Sequence, residues 1–137
     1  MTQQRPRGFT LIELMIVLAV AALLSTIAYP SYVAQVAKGR RTDGKQALVE
    51  LAQKLERFYS ERGTYAGAML GSGGIYPAVS TGGFYALSIT TQTVDGFAIA
   101  ATPQGVQVGD ACAALGYNQL GEQTVSAAAT VTAAKCW

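Results

Sequence analysis

From Phe9 to Tyr29 the chain runs FTLIELMIVLAVAALLSTIAY, 21 residues whose polar members are Thr10, Glu13, Ser25 and Thr26. A stretch of that length and composition can cross a ~30 Å hydrocarbon core as one helix, and few soluble folds accommodate it. Glu13 is the single ionisable group in it. A carboxylate at that depth costs roughly 2.5–3.5 kcal/mol on insertion scales, so an acid held there calls for a partner. The chain itself offers no nearby cation on the same helix face.

The rest of the composition narrows the function by exclusion. With 137 residues, 50% hydrophobic and 13% charged, the chain holds at most one compact domain beside the apolar segment. It has no histidine and only two cysteines, Cys112 and Cys136. The usual catalytic triads and metal clusters therefore cannot be assembled, and neither an enzymatic activity nor a cofactor is expected. The formal charge of +2 misleads, because two of the ten basic residues, Arg5 and Arg7, precede Gly8; from Phe9 onward eight basic side chains face eight acidic ones. Most of those charges lie between Lys38 and Arg62. From Gly63 on only Asp95, Asp110, Glu122 and Lys135 are charged.

Helical periodicity resumes beyond the apolar run. Leu48, Leu51, Ala52, Leu55, Phe58 and Tyr59 recur on one buried stripe. Glu50 with Lys54 and Arg57 with Glu61 stand as i, i+4 opposite charges, and Gly63 marks the helix end near Arg62. Pro30 removes one backbone donor and predicts a kink. In KGRRTDGKQ, residues 38–46, Gly39 and Gly44 each weaken a helix by about 1 kcal/mol relative to alanine. Asp43 followed by Gln46 would cap a fresh helix there. The sequence leaves both a continuous helix and two successive helices open.

Past a glycine-rich connection, FYALSITT alternates as a strand with Tyr85, Leu87 and Ile89 on one face. Asp95-Gly96 signals a hairpin, and FAIAATP returns with Phe97, Ile99 and Ala101 inward. ACAALGYN and QTVSAAA read as two further strands around a turn at Asn118 to Gly121. GSGG at 71–74 lacks the strand-then-helix setting of a phosphate loop and is read as a plain turn. With an export-like N-terminus, pairing of Cys112 with Cys136 is the natural inference, two buried free thiols being the alternative.

The N-terminus itself admits three meanings: a secretory signal cleaved near Ala34 to Ala37, a plain single-pass anchor, or a third that comes by resemblance. A short basic leader ending in Gly8, followed by FTLIELMIVLAVAALLSTIAYPSY, strongly resembles a type IV prepilin. LERFYSERGTY, YALSI with FAIAATPQG, and DACAALGYNQLGEQT running to a final CW are similar to the small minor pilins of Gram-negative type IV pili. The resemblance implies an α+β pilin fold: a leader at 1–8, a membrane-spanning and filament-core helix at 9–29, its amphipathic continuation at 30–62 packed on a small antiparallel sheet, and a β head at 63–137 with a disulfide-closed C-terminal loop. It implies cleavage by a prepilin peptidase between Gly8 and Phe9, N-methylation of Phe9, and neutralisation of a neighbouring subunit's amino terminus by Glu13. An unpaired buried charge penalises every wrong stagger of apolar helices, so Glu13 would act as a registry device. Implied partners are other pilin subunits and the inner-membrane assembly machinery, with the head in the periplasm before the subunit enters an extracellular filament. Many members carry a helix-breaking glycine where this chain has Ala22.

Alternative roles within reach of that resemblance are a DNA- or surface-binding specialised pilin and a type II secretion pseudopilin. DNA capture needs exposed Lys or Arg. Beyond Gly63 only Lys135 qualifies, and the basic segment Lys38 to Lys45 reads as a solvated or inter-subunit helix face.

Overall fold

The computed structural model describes residues 8–137. Its elements run α1 (Leu11–Arg62), β1 (Tyr85–Gln92), β2 (Phe97–Pro103), a 3₁₀ turn (Gly105–Gln107), β3 (Leu115–Asn118), β4 (Gln123–Val125) and α2 (Ala133–Cys136). The chain divides into two compact units, Met1–Val36 and Ala37–Trp137.

The first unit is helical from Leu11 on and contains, among the described residues, the one stretch long and apolar enough to cross a membrane, with none of that stretch buried. Two of its hydroxyls are turned onto their own helix, Ser25 Oγ donating to Ala21 O and Thr26 Oγ1 to Leu23 O, each at 2.7 Å. Those bonds let two hydroxyls reside in an apolar segment with their donors satisfied. Pro30 sits inside α1, which is assigned as helix on both sides of it.

In the second unit the remainder of α1 lays Ala47, Leu48, Leu51, Ala52, Leu55 and Phe58 against Tyr85, Leu87, Phe97, Ile99, Ala101 and Leu115. Burying Leu48, Leu51 and Leu55 completely contributes about 1.5–3 kcal/mol apiece. The helix ends as expected: Gly63 takes a left-handed φ of 70° and returns its N–H to Tyr59 O at 2.7 Å. Tyr59 itself is not core. It lies at the rim, 36% exposed, stacked on Tyr65 with ring centroids 4.6 Å apart.

The two-helix alternative is not adopted, since α1 is continuous across Gly39 and Gly44. Gly44 serves packing: a Cβ there would lie 2.8 Å from Tyr85 Cδ2, so only glycine lets that ring close on the helix. Asp43 caps no helix. Its carboxylate accepts from Ser80 Oγ at 2.6 Å and from Gly82 N at 2.8 Å. Glu50 likewise turns to Tyr76 Oη at 2.6 Å and Gln46 Nε2 at 3.0 Å, not to Lys54, whereas the expected Arg57–Glu61 pair forms at 3.0 Å. With Glu56 accepting from Tyr65 Oη at 3.0 Å, three helix acids fasten the connection between α1 and β1.

The sheet has the order β1-β2-β3-β4, every pair antiparallel. Its inward faces are the expected ones, with Leu87 opposite Ala101 and Ile89 opposite Ile99. The β1–β2 loop differs from a two-residue Asp-Gly turn. Thr93 N bonds Gly96 O at 2.9 Å, which places Val94 and Asp95 at the tip. The alanine-rich ends of the two C-terminal strands do not pair; only LGYN and QTV join the ladder, because alanine offers too little side chain to hold a register. Between them Asn118 Oδ1 accepts from Leu120 N and Glu122 N, both at 3.0 Å, and Gly121 takes φ 76°, so the expected turn is there.

The tyrosine–carboxylate bonds carry a pH signature. Burial, and then the bond to Glu56, push the Tyr65 hydroxyl up to about 12; burial, and then Glu50, do the same for Tyr76. The folded chain holds these protons more tightly than the unfolded chain, whose tyrosines titrate near ~10. Their stabilisation is therefore complete below about pH 10 and disappears as pH climbs toward about 12. Melting temperature measured from pH 9 to 12 should fall across that window, and the Tyr65→Phe/Tyr76→Phe double variant should flatten the fall. An equally steep fall in the double variant would contradict the assignment.

Candidate assembly site and head anchor

Two places carry the chemistry singled out in the sequence. The first is the start of α1. Leu11 opens the helix, Thr10 Oγ1 accepts from Glu13 N at 3.3 Å, and Thr10 O accepts from Leu14 N at 3.2 Å, so Thr10 caps the helix through the backbone of Glu13. Half of a capping box is thereby formed. Among the described residues no cation lies within ion-pair distance of the Glu13 carboxylate, and Gly8 and Phe9 are exposed, Phe9 at 79%. Met1–Arg7, with the leader cations Arg5 and Arg7, lie outside the described residues.

The second place is the C-terminal loop. Cys112 and Cys136 are bridged across a separation of 24 residues, with Cα atoms 5.7 Å apart, and both are buried. Each end of the bridge is tied to α1. Two residues before Cys112, Asp110 receives Arg41 Nε on both carboxylate oxygens at 3.0 and 2.8 Å, with side-chain exposures of 14% for Arg41 and 2% for Asp110. One residue after Cys136, the main-chain oxygen of Trp137 accepts from Lys45 Nζ at 2.9 Å. Burial, and then the charges of Arg41 and Lys38, lower the Lys45 ammonium below its ordinary range. The Trp137 indole donates to Thr124 O at 3.0 Å and so ties the end of the loop to β4. Of the larger apolar groups in the loop, Leu115 is buried and Tyr117, Val125 and Val131 are half-buried, but Leu120 is 74% exposed at the β3–β4 tip.

These contacts correct the reading of the basic segment as a solvated or inter-subunit face. Arg41 and Lys45 point inward and fasten the loop, and Arg40 rests over the Phe84 ring at 5.1 Å. Sequence reasoning missed Arg41, Asp110 and Gln107. The only available hint was the coincidence of an isolated acid beside Cys112 with cations spaced i, i+4 at Arg41 and Lys45.

Comparison with known proteins bears on both places. A family model described as "Type IV minor pilin ComP, DNA uptake sequence receptor" matches residues 30–116, and one described as "Prokaryotic N-terminal methylation motif" matches residues 3–29. The chain is 32% identical over 107 residues to the prepilin peptidase-dependent protein D of Escherichia coli, covering 72% of this chain and 73% of that one. It is 40% identical over 62 residues to the type IV major pilin protein PilA of Myxococcus xanthus, covering 45% of this chain and 28% of that protein. For the fimbrial protein EcpC of Eikenella corrodens the figures are 35% over 65 residues, 47% and 42%. The matches thus span less than half the length of the Myxococcus and Eikenella relatives. A solved type IV pilin from Shewanella oneidensis shares 32% identity, 64% of this chain and 89% of its own, with a TM-score of 0.49. On the family model spanning residues 30–116 and the Escherichia relative matched over 72% of the chain, this protein belongs to the type IV minor pilins.

Proposed function

We propose that the chain is a structural subunit of a type IV pilus, made as a precursor that a prepilin peptidase cuts between Gly8 and Phe9 and methylates on Phe9. Held in the inner membrane by the helix from residue 9 to 29, with its head in the periplasm, it would then be drawn by the assembly machinery into an extracellular filament with other pilin subunits. The observation that carries this reading is the methylation motif matched over residues 3–29, which contains the apolar run whose one acid, Glu13, has no cation within reach among the described residues. A neighbouring subunit's amino terminus would supply that cation. Pro30 would supply the bend at which the apolar run passes into the head-bearing segment. Mass spectrometry of the protein from sheared filaments tests it: a chain starting at methylated Phe9 is the expected result, and a chain starting near Lys38 would overturn it.

The role of Glu13 has its own test. Glu13→Ala should insert into membranes as well as the wild type or better, because the carboxylate opposes insertion. It should nevertheless be depleted from filaments when co-expressed with wild type. Equal amounts of mutant and wild-type subunit in sheared pili would refute a role in assembly.

A second reading, DNA capture, is favoured by one finding, the family model that names a DNA uptake sequence receptor. Among the described residues the exposed lysines Lys38, Lys54 and Lys135 are free to meet phosphates, since Arg41, Lys45 and Arg57 are engaged in polar contacts within the chain and Arg40 and Arg62 lie over the Phe84 and Phe58 rings. Binding of duplex DNA to purified filaments should then weaken with salt, and Lys38→Gln/Lys54→Gln/Lys135→Gln should reduce the logarithmic slope by about 2–3. An unchanged slope would exclude these lysines.

A further inference from the structure

The two glycines of residues 38–46 differ in what surrounds them. Gly44 is pinned by Tyr85, whereas a Cβ on Gly39 would meet nothing within 4 Å, so no packing contact accounts for a glycine there. It sits exposed inside a continuous helix that it weakens. Contacts change character on either side of it. Downstream, Arg40 lies over Phe84, Arg41 holds Asp110, and Asp43 holds Ser80 and Gly82. Immediately upstream, Gln107 reaches back 70 residues to donate Nε2 to Ala37 O at 3.1 Å.

That bond is odd in its target. An α-helical Ala37 carbonyl already accepts from the N–H of Arg41, so Gln107 fills its second lone pair. Gln107 is 2% exposed and its Oε1 has no partner among the described residues; its amine donates to Tyr85 Oη at 3.3 Å and with its other contact covers a helix acceptor already served. The duplication becomes useful when the turn opens. If Gly39 leaves the helical conformation, as glycine does at helix C-termini, the carbonyls of Gln35, Val36 and Ala37 lose the N–H groups of Gly39, Arg40 and Arg41. Gln35 is exposed and Val36 only half-buried, so water can serve both carbonyls, whereas Ala37 keeps Gln107 as a partner held in place within the chain.

We infer that Gly39 is a built-in joint in α1 and that Gln107 is a pre-positioned cap which keeps the Ala37 carbonyl bonded in both the closed and the opened turn. The helix can thus bend at one turn while Arg40, Arg41 and Asp43 hold everything after it. The inference rests on this local geometry and not on the pilus reading, and its test makes no use of filaments.

Amide hydrogen exchange on the full-length chain in detergent micelles is the measurement. In the wild type, the amides of Gly39, Arg40 and Arg41 should exchange at least about tenfold faster than those of Leu48 to Leu55. Gly39→Ala, which meets no steric obstacle, should slow the first set by about fivefold and leave the second unchanged. Gln107→Leu separates a cap from an ordinary anchor: loss of a cap makes opening harder and slows exchange at 39–41, while loss of an anchor speeds it. Equal wild-type rates in the two segments, or no slowing in Gly39→Ala, would overturn the joint. Faster exchange at 39–41 in Gln107→Leu would overturn the cap.

Discussion

Replacing Arg41 by methionine should destabilise the head by about 3–5 kcal/mol, because it strands the Asp110 carboxylate, 2% exposed, without a cation. Asp110→Asn should cost less, since the amide oxygen still accepts from Arg41. The informative variant is Arg41→Met/Asp110→Leu. Removing both charges abolishes the desolvation penalty together with the attraction, and apolar replacements of buried pairs are frequently neutral or stabilising. Chemical denaturation of the wild type, Arg41→Met, Asp110→Leu and Arg41→Met/Asp110→Leu gives a double-mutant cycle, with a coupling of about 2 kcal/mol or more expected. Additive effects would mean that the 2.8 Å contact holds nothing.

The second large effect is expected at the disulfide. Closing a loop across a separation of 24 residues should stabilise by roughly 3–4 kcal/mol in the chain-entropy model. Cys112→Ser/Cys136→Ser should lower the melting temperature, and residues 112–137 should become protease-sensitive before the β1–β2 hairpin does. Leu115 is the only large apolar side chain between the cysteines that is fully buried. It alone cannot offset about 1–2 kcal/mol of backbone ordering for every residue of the loop. An unchanged melting curve, or a hairpin cleaved first, would contradict this account.

What is legible in the chain follows from periodicity and from terminal signals. The apolar run, the stripe from Leu48 to Phe58, the stop at Gly63 and the inward faces of β1 and β2 are local patterns, and each appears at its expected place. The methylation motif matched over residues 3–29 is likewise a pattern contained within one short segment. What escapes is tertiary. Gly44 reads as a helix breaker because the Tyr85 ring that requires it lies 41 positions on. Asp43 reads as a helix cap because the Ser80 hydroxyl and Gly82 amide that claim it belong to a loop whose path no periodicity describes. Leu120, a large apolar side chain, occupies a turn tip and is exposed.

The two ties of the C-terminal loop to α1 leave one residue on each side of the bridge, Asp110 on Arg41 and Trp137 on Lys45, one helical turn apart. Because the sulfurs join those ends covalently, a pull along the helix loads both contacts at once instead of peeling them in turn. Bonds loaded in parallel share the force, and they must fail together. In an extended polymer under shear, such a clasp behaves as a rivet with two shanks, and its strength is set by the pair.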